Sequence, residues 1–240
     1  MAKSNLYVGQ DLIGNIYAGN QLISQVYRGS TKVYDVYYDG QVVFESSTPG
    51  NYTFTPKVKG LYQVVVVGAG GGGAAGADQS KYAGKSRASS GGSGAAVVGT
   101  WYLTKENSYS LSIGAGGNGS GHSMWVLNTG GTGGASSFAN FVTCNGGTGG
   151  AAIWSERSGT HGGYGGSVQT VDGYINLIQS SNGNNGVVVN GYSGWTNGGN
   201  SVYGGYGRAG QAYCNSGGGG TSAGGSGYIQ ITYLRHSTGT

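Results

Sequence analysis

Apolar positions in this chain come in short, regularly spaced clusters, and no window of eleven or more residues keeps the apolar period of an amphipathic helix. Across residues 6–44 the apolar pairs form two interleaved sets with a near-constant ten-residue spacing. Leu6-Tyr7, Ile16-Tyr17, Val26-Tyr27 and Val36-Tyr37 make one set; Leu12-Ile13, Leu22-Ile23, Val33-Tyr34 and Val42-Val43 make the other. Gly9, Gly19 and Gly29 each follow a Tyr by two places, and Gly40 comes one place late because Tyr38-Asp39 expands its unit. Each unit predicts two short strands broken by a turn such as Ala18-Gly19-Asn20 or Arg28-Gly29-Ser30. Strands this short cannot bury a core alone, so repetition or copies of the chain must supply one. The stretch is expected to mediate trimerisation or docking on a partner.

A polar break at 45–60 holds both prolines, Pro49 and Pro56, and divides an N-terminal β-repeat region (1–48) from a glycine-rich domain (49–240). After the break, Asn51-Tyr52-Thr53-Phe54-Thr55 alternates as a half-buried strand does. The run Leu61-Tyr62-Gln63-Val64-Val65-Val66-Val67 predicts a core strand, with further strands at 97–103 and 109–113. Tyr228-Ile229-Gln230-Ile231-Thr232-Tyr233-Leu234 is expected to close the domain by pairing with the first core strand, making 51–235 one unit.

Between those strands the pattern is carried by glycine. Gly130-Gly131-Thr132-Gly133-Gly134, Gly146-Gly147-Thr148-Gly149-Gly150 and Gly162-Gly163-Tyr164-Gly165-Gly166 begin 16 residues apart, and Gly114-Ala115-Gly116-Gly117 starts one interval earlier. A fixed period of this kind is a fold signal in its own right. A polyproline-II chain turns once in three residues and makes no internal hydrogen bonds. Each GGxGG therefore has two bare faces and a third that carries Thr132, Thr148 or Tyr164. Bare faces admit neighbouring backbones, so these runs predict parallel polyglycine-II rods packed side by side. Glycine this dense is also the composition of a flexible linker. The period, and the Trp125, Phe138, Phe141, Ile153 and Trp154 set among the glycines, favour order. The expected class is all-β and irregular: short strand repeats, then strands plus packed glycine rods, with almost no α-helix.

Charged residues are only 8% of the 240, and a formal charge of +4 is scattered, with Lys81, Lys85 and Arg87 its one cluster. Nucleic-acid binding needs a basic face and is not expected. No secretory signal pattern opens the chain, and no apolar run approaches the length of a membrane helix, so membrane insertion is not expected either. Cys144 and Cys214, 70 residues apart, have no His at ligand spacing. Free buried thiols are the default, and a disulfide stays open for a protein that ends up outside the cell. No metal or cofactor is expected.

Gly68-x-Gly70-x-x-Gly73 after the valine run matches the dinucleotide-binding pattern literally. That site needs a following helix and an acidic residue about 20 positions on. Ala74-Ala75-Gly76-Ala77-Asp78 and a polar loop follow instead. No catalytic motif is present. Glu156 and His161 share one tip, but tips are poor sites for the buried, shifted groups of acid–base catalysis, and an enzyme is not expected. What stands out is aromatic side chains among Ser, Asn, Thr and Gly, the mixture of antibody paratopes. Trp154, Tyr164, Tyr192, Trp195, Tyr203 and Tyr206 are the first candidates for receptor binding, and His122, Trp125 and His161 the second rank. Each of these rings can alternatively cap the end of a rod and simply pack there.

Residues 51–235 resemble the glycine-rich domains at the ends of bacteriophage tail fibres and their adhesins. The likeness rests on Val64-Val65-Val66-Val67-Gly68-Ala69-Gly70-Gly71-Gly72-Gly73, on Gly91-Gly92-Ser93-Gly94-Ala95-Ala96, on Tyr109-Ser110-Leu111-Ser112-Ile113-Gly114-Ala115-Gly116-Gly117 and on Gly224-Gly225-Ser226-Gly227-Tyr228-Ile229-Gln230-Ile231. The N-terminal Val-Tyr-x-Gly repeats are similar to segments of phage tail and baseplate proteins. The resemblance implies a polyglycine scaffold whose inter-rod loops touch a bacterial surface receptor, an outer-membrane protein or a glycan. It also implies a virion component made in the host cytoplasm, a homotrimer or a chain joined to other tail-fibre or baseplate proteins. Two alternatives stay open: a structural decoration or joining protein without receptor binding, and a ligand-binding module of a cellular receptor, which the lack of signal and membrane segments disfavours.

Overall fold

The computed structural model describes residues 40–76, 86–121, 127–154, 161–189, 194–196, 198–214 and 221–235, with the backbone alone at 16–18, 21–23, 25–28, 31–35, 86, 154, 194–196, 213–214 and 235. Strands are numbered in chain order. Every regular element among the described residues is a β-strand.

The N-terminal repeats form hairpins. β1 (Ile16–Ala18) pairs antiparallel with β2 (Gln21–Ile23), and β3 (Gln25–Arg28) with β4 (Thr31–Asp35). Ala18 lies opposite Gln21 and Arg28 opposite Thr31. The fourth unit behaves differently. Its Val42-Val43 pair falls in β5 (Gln41–Ser46), which runs antiparallel along β18 (Tyr228–Arg235) with Phe44 opposite Ile231. The Gly40 amide also donates to Tyr233 O at 2.8 Å. The tail of the repeat region thus supplies an edge strand to the first sheet of the glycine-rich domain.

That domain begins as a sandwich of two five-stranded antiparallel sheets. One has the order β15 (Asn176–Ser181), β9 (Ala96–Leu103), β7 (Gly60–Val67), β18, β5; the other β14 (Val168–Val171), β12 (Val142–Cys144), β11 (Ser136–Phe138), β10 (Tyr109–Ile113), β6 (Gly50–Phe54). Val67 pairs with Tyr228, so the first core strand and the closing strand do meet. Val64, Val66, Val97, Ile229 and Ile231 face Leu111, Ile113, Phe138, Val142 and Cys144 across the sandwich. Trp101 meets Phe138 edge-on at 5.9 Å, and its Nε1 donates to Asp172 O at 2.8 Å. Val65, Val67, Ala96, Val98 and Tyr228 line the opposite face of the first sheet, which Val202, Tyr203 and Tyr206 cover. Burial on both faces explains the uninterrupted valine run.

Strands run straight into rods. Ten glycine-rich segments extend from the sandwich among the described residues: rods 1 to 10 are 68–76, 89–95, 114–121, 127–135, 145–151, 161–167, 182–189, 198–202, 207–211 and 221–227. Rod 1 shows how they bond. Amides 68, 71 and 74 donate to Ala95, Gly92 and Ser89 of rod 2, amides 69, 72 and 75 to Gly134, Gly131 and Asn128 of rod 4, and amides 70 and 73 to Gly225 and Ser222 of rod 10, all at 2.8–3.2 Å. Its carbonyls accept from Gly117, Gly147 and Gly210 of rods 3, 5 and 9. Rod 1 thus has a neighbour on all six sides, and so does rod 2, which touches rods 1, 5, 6, 7, 8 and 9. With rods 7 and 8 joined by Asn184 Nδ2 donating to Asn200 O, these adjacencies define layers of three, four and three rods.

Packing side by side is as the spacing predicts, but the rods are not all parallel. Partner numbers fall by three from rod 1 to rod 2 as donor numbers rise by three, so these rods are antiparallel, whereas rod 5 runs with rod 1. The three GGxGG copies are rods 4, 5 and 6, one complete outer layer, with Thr132, Thr148 and Tyr164 exposed on it. Where an outer rod lacks a neighbour, side chains fill in: Thr148 Oγ1 accepts from the Tyr164 amide at 2.7 Å, Asn185 Oδ1 from Gly165 and Asn182 Oδ1 from Val168. The Gly68-x-Gly70-x-x-Gly73 amides all bond to neighbouring rods, so this loop is an interior rod and not a phosphate cradle.

Three predictions follow from this architecture. A Cβ on Gly147 would stand 2.0 Å from Gly92 O, and one on Gly163 2.3 Å from Thr148 O. Gly147→Val and Gly163→Val should therefore fail to fold or melt far below the parent, while Thr148→Val, losing one hydrogen bond of about 1 kcal/mol, should lower Tm by about 2–4 °C. Equal melting of the three variants would refute the lattice. The second concerns the N-terminus: full chain and a 40–240 truncation, which keeps β5, should differ in oligomeric state by light scattering while melting alike. Two monomers with unchanged partner binding would remove the assembly role. The third concerns Cys144, whose buried thiol donates to Val66 O at 3.3 Å. Burial pushes it from 9.0 up to about 12. Folded protein keeps this proton where unfolded chain loses it, so this contribution is intact below pH 9 and fades as pH rises from 9 towards 12. Peptide-resolved alkylation at pH 8 should label Cys144 only after global unfolding.

Candidate functional site

Because the rods leave and re-enter the sandwich in turn, the chain's connections sort to two ends. At the sandwich end, Tyr203 and Tyr206 flank a tight turn. The Tyr206 amide donates to Tyr203 O at 3.0 Å, and Gly204 and Gly205 have φ of +54° and +87°, left-handed values that favour glycine. Both rings lie against Tyr228: Tyr206 stacks on it at 3.9 Å and 6°, Tyr203 at 6.4 Å and 22°. Tyr228 Oη donates to Glu45 at 2.7 Å, tying the stack to β5. Tyr203 and Tyr206 therefore cover the outer face of the first sheet, the packing role that their pattern also allowed.

At the other end the rods close on a small apolar plug of Ala74, Ala88, Ala152, Val189 and Ala212, with Leu127 against it. Four short strands sit here. β8 (Ser86–Ala88) pairs with β13 (Ala152–Trp154), Ser86 opposite Trp154, and β16 (Gly194–Thr196) pairs with β17 (Ala212–Cys214), Trp195 opposite Tyr213. The backbones of Trp154 and Trp195 are thus both at this far end, away from Tyr203 and Tyr206. Segments 77–85, 122–126, 155–160, 190–193 and 215–220 lie outside the described residues. His122, Trp125 and Tyr192 belong to two of these and also lie outside the described residues.

His161 and Tyr164 come together on rod 6. Their rings stack at 6.3 Å and 26°, and Tyr164 is 58% exposed. Backbone bonds hold both: Ser89 Oγ donates to His161 O at 2.8 Å, and Thr148 Oγ1 accepts from the Tyr164 amide. Sequence reading chose the two rings and missed the hydroxyls that fix them. The signal for Thr148 was its place on the third face of GGxGG; for Ser89, inside a Ser-rich run, there was none. The exposed apolar residues Tyr102, Ile175 and Ile178 were not foreseen either.

This end offers rigid rods, aromatic residues and neutral hydrogen-bonding groups, a chemistry suited to holding a ligand by stacking and hydrogen bonds. No group of three or more His, Cys, Asp or Glu residues able to hold a metal ion occurs among the described residues. No helix there is long and apolar enough to cross a membrane.

No curated protein matches this chain. A family described as a glycine-rich domain matches residues 46–239, from the last residue of β5 through the other nine strands of the sandwich and every rod. Ten interlocked glycine rods on a β-sandwich are thus the form this matched region takes, and the chain belongs to the glycine-rich domain family.

Proposed function

We propose that this chain is a non-enzymatic receptor-binding protein of a bacteriophage tail fibre, an adhesin that recognises a receptor on the bacterial surface. The observation that carries the reading is the two-ended topology. Repeats suited to attachment lead through β5 into the sandwich, while the apolar plug that closes the rods and the Trp154 and Trp195 strands lie at the opposite end. A lattice with every interior amide bonded is rigid, and rigidity limits the entropy lost when exposed rings are immobilised on a partner. The 1–39 repeats would then hold the chain on a fibre or baseplate, as a trimer or as a docked single copy, and the far end would face the cell.

Binding energy in such an interface concentrates in a few aromatic residues. Adsorption of the labelled chain to a panel of bacteria, read beside Tm, tests the division between ends. Trp154→Ala, Tyr164→Ala and Trp195→Ala should weaken adsorption by about tenfold or more with melting unchanged. Tyr203→Ala should lower Tm by several degrees and leave adsorption intact. The opposite partition would overturn the proposed orientation. Adsorption to no strain, with assembly into particles preserved, would replace receptor binding by a structural joining role.

A further inference from the structure

The second sheet turns its outer face to solvent, and strand registers fix what stands on it. Asn51 pairs with Ser112, Ser112 with Ser137, Ser137 with Thr143 and Thr143 with Thr170, so each of the five strands places one small polar residue in a single row. Thr53 and Ser110 pair in the row alongside. Over β6, β10 and β11 the face is hollowed into a groove of about 420 Å³ whose lining includes Asn51, Thr53, Ser110, Ser112 and Ser137. That volume is within the range of small-ligand sites, about 300–1,000 Å³.

Two features set the chemistry of this face. Its row and groove positions carry no Lys, Arg, Asp or Glu. Its side-chain groups are also unengaged within the protein among the described residues. In the rod body the same residue types do bond to backbone: Ser89, Ser90, Ser93, Thr148, Asn182 and Asn185 all do so. The groove therefore presents a dense set of hydroxyls and one amide that bond to no other described side chain or backbone group.

We propose that this groove binds a neutral oligosaccharide. Ser and Thr hydroxyls both donate and accept, as sugar hydroxyls do, and Asn51 adds an amide with separate donor and acceptor atoms. An anionic ligand would find no cation on the face. An apolar one would strip water from the hydroxyls without replacing their hydrogen bonds. The site lies on the sandwich, away from the far-end aromatics, and stands or falls independently of the adhesin reading.

The experiment is a nuclear magnetic resonance titration of the isotope-labelled full chain with maltohexaose, cellohexaose and mannohexaose, with trigalacturonate as the anionic control. At least one neutral sugar should produce saturable shifts confined to the amides of 51–53, 110–112 and 137. The Ser112→Ala, Ser137→Ala double variant should weaken that binding by about tenfold or more with unchanged melting. Asn51→Ala, on the edge strand, gives the same reading should the double variant fold poorly. No saturable shift with any neutral sugar, an equal response to trigalacturonate, or full affinity in a folded variant would each overturn the proposal.

Discussion

The structure depends on backbone hydrogen bonds made between rods, because a polyproline-II-like chain makes none within itself. Every amide of rod 1 from 68 to 75 donates to another rod, and its three faces address three different ones. Ordering glycine is costly, roughly 0.5–1 kcal/mol per residue relative to alanine. A buried amide left unbonded costs about 1–3 kcal/mol. A single rod thus has every reason to stay unfolded, and the lattice is stable only once complete. Two fully surrounded rods and eight bounding ones satisfy that condition, with Ser, Thr and Asn side chains closing the gaps at its rim.

The sandwich supplies what glycine cannot, a fixed register. Rods without side chains can slide past one another with little change in contact, whereas strands with alternating Val, Ile, Leu and Phe cannot slip a residue without turning their core face outward. Rod 1 continues β7, rod 2 feeds β9, rod 5 continues β12 and rod 10 feeds β18. Heights along the rods are therefore set by pairs such as Val67 with Tyr228 and Val67 with Ala96. The same linkage makes successive rods run alternately away from the sandwich and back to it.

A low charge count has its place in this design. Rods touch through backbone, and only one residue in three of an outer rod points away, as Thr132, Thr148 and Tyr164 do. The outer surface of rods 4, 5 and 6 is consequently neutral and small-featured, with Tyr164 as its most prominent side chain. Tyr203 and Tyr206 are the exception, since they are folded back on Tyr228 and serve the sheet beneath them.

The sequence by itself determined five of the ten sandwich strands, the N-terminal repeats and the existence of the rods. Alternation marked β6 and β10, the ten-residue spacing marked the hairpins β1–β2 and β3–β4, and GGxGG placed Thr132, Thr148 and Tyr164 on the open face. These are local properties, set by side-chain periodicity and by where a Cβ is missing. Tertiary structure alone decided the rest. A bare glycine face does not say which rod will meet it or in which direction, so rod order and antiparallel sense came from the strands that anchor them. The Val42-Val43 pair has the pattern of a fourth repeat unit, yet β18 offered it an open sheet edge. An aromatic between glycines looks the same in sequence whether it faces solvent or a neighbour. His161 with Tyr164 and Tyr203 with Tyr206 are told apart only by what lies beneath the ring, open solvent above rod 6 in one case and Tyr228 in the other.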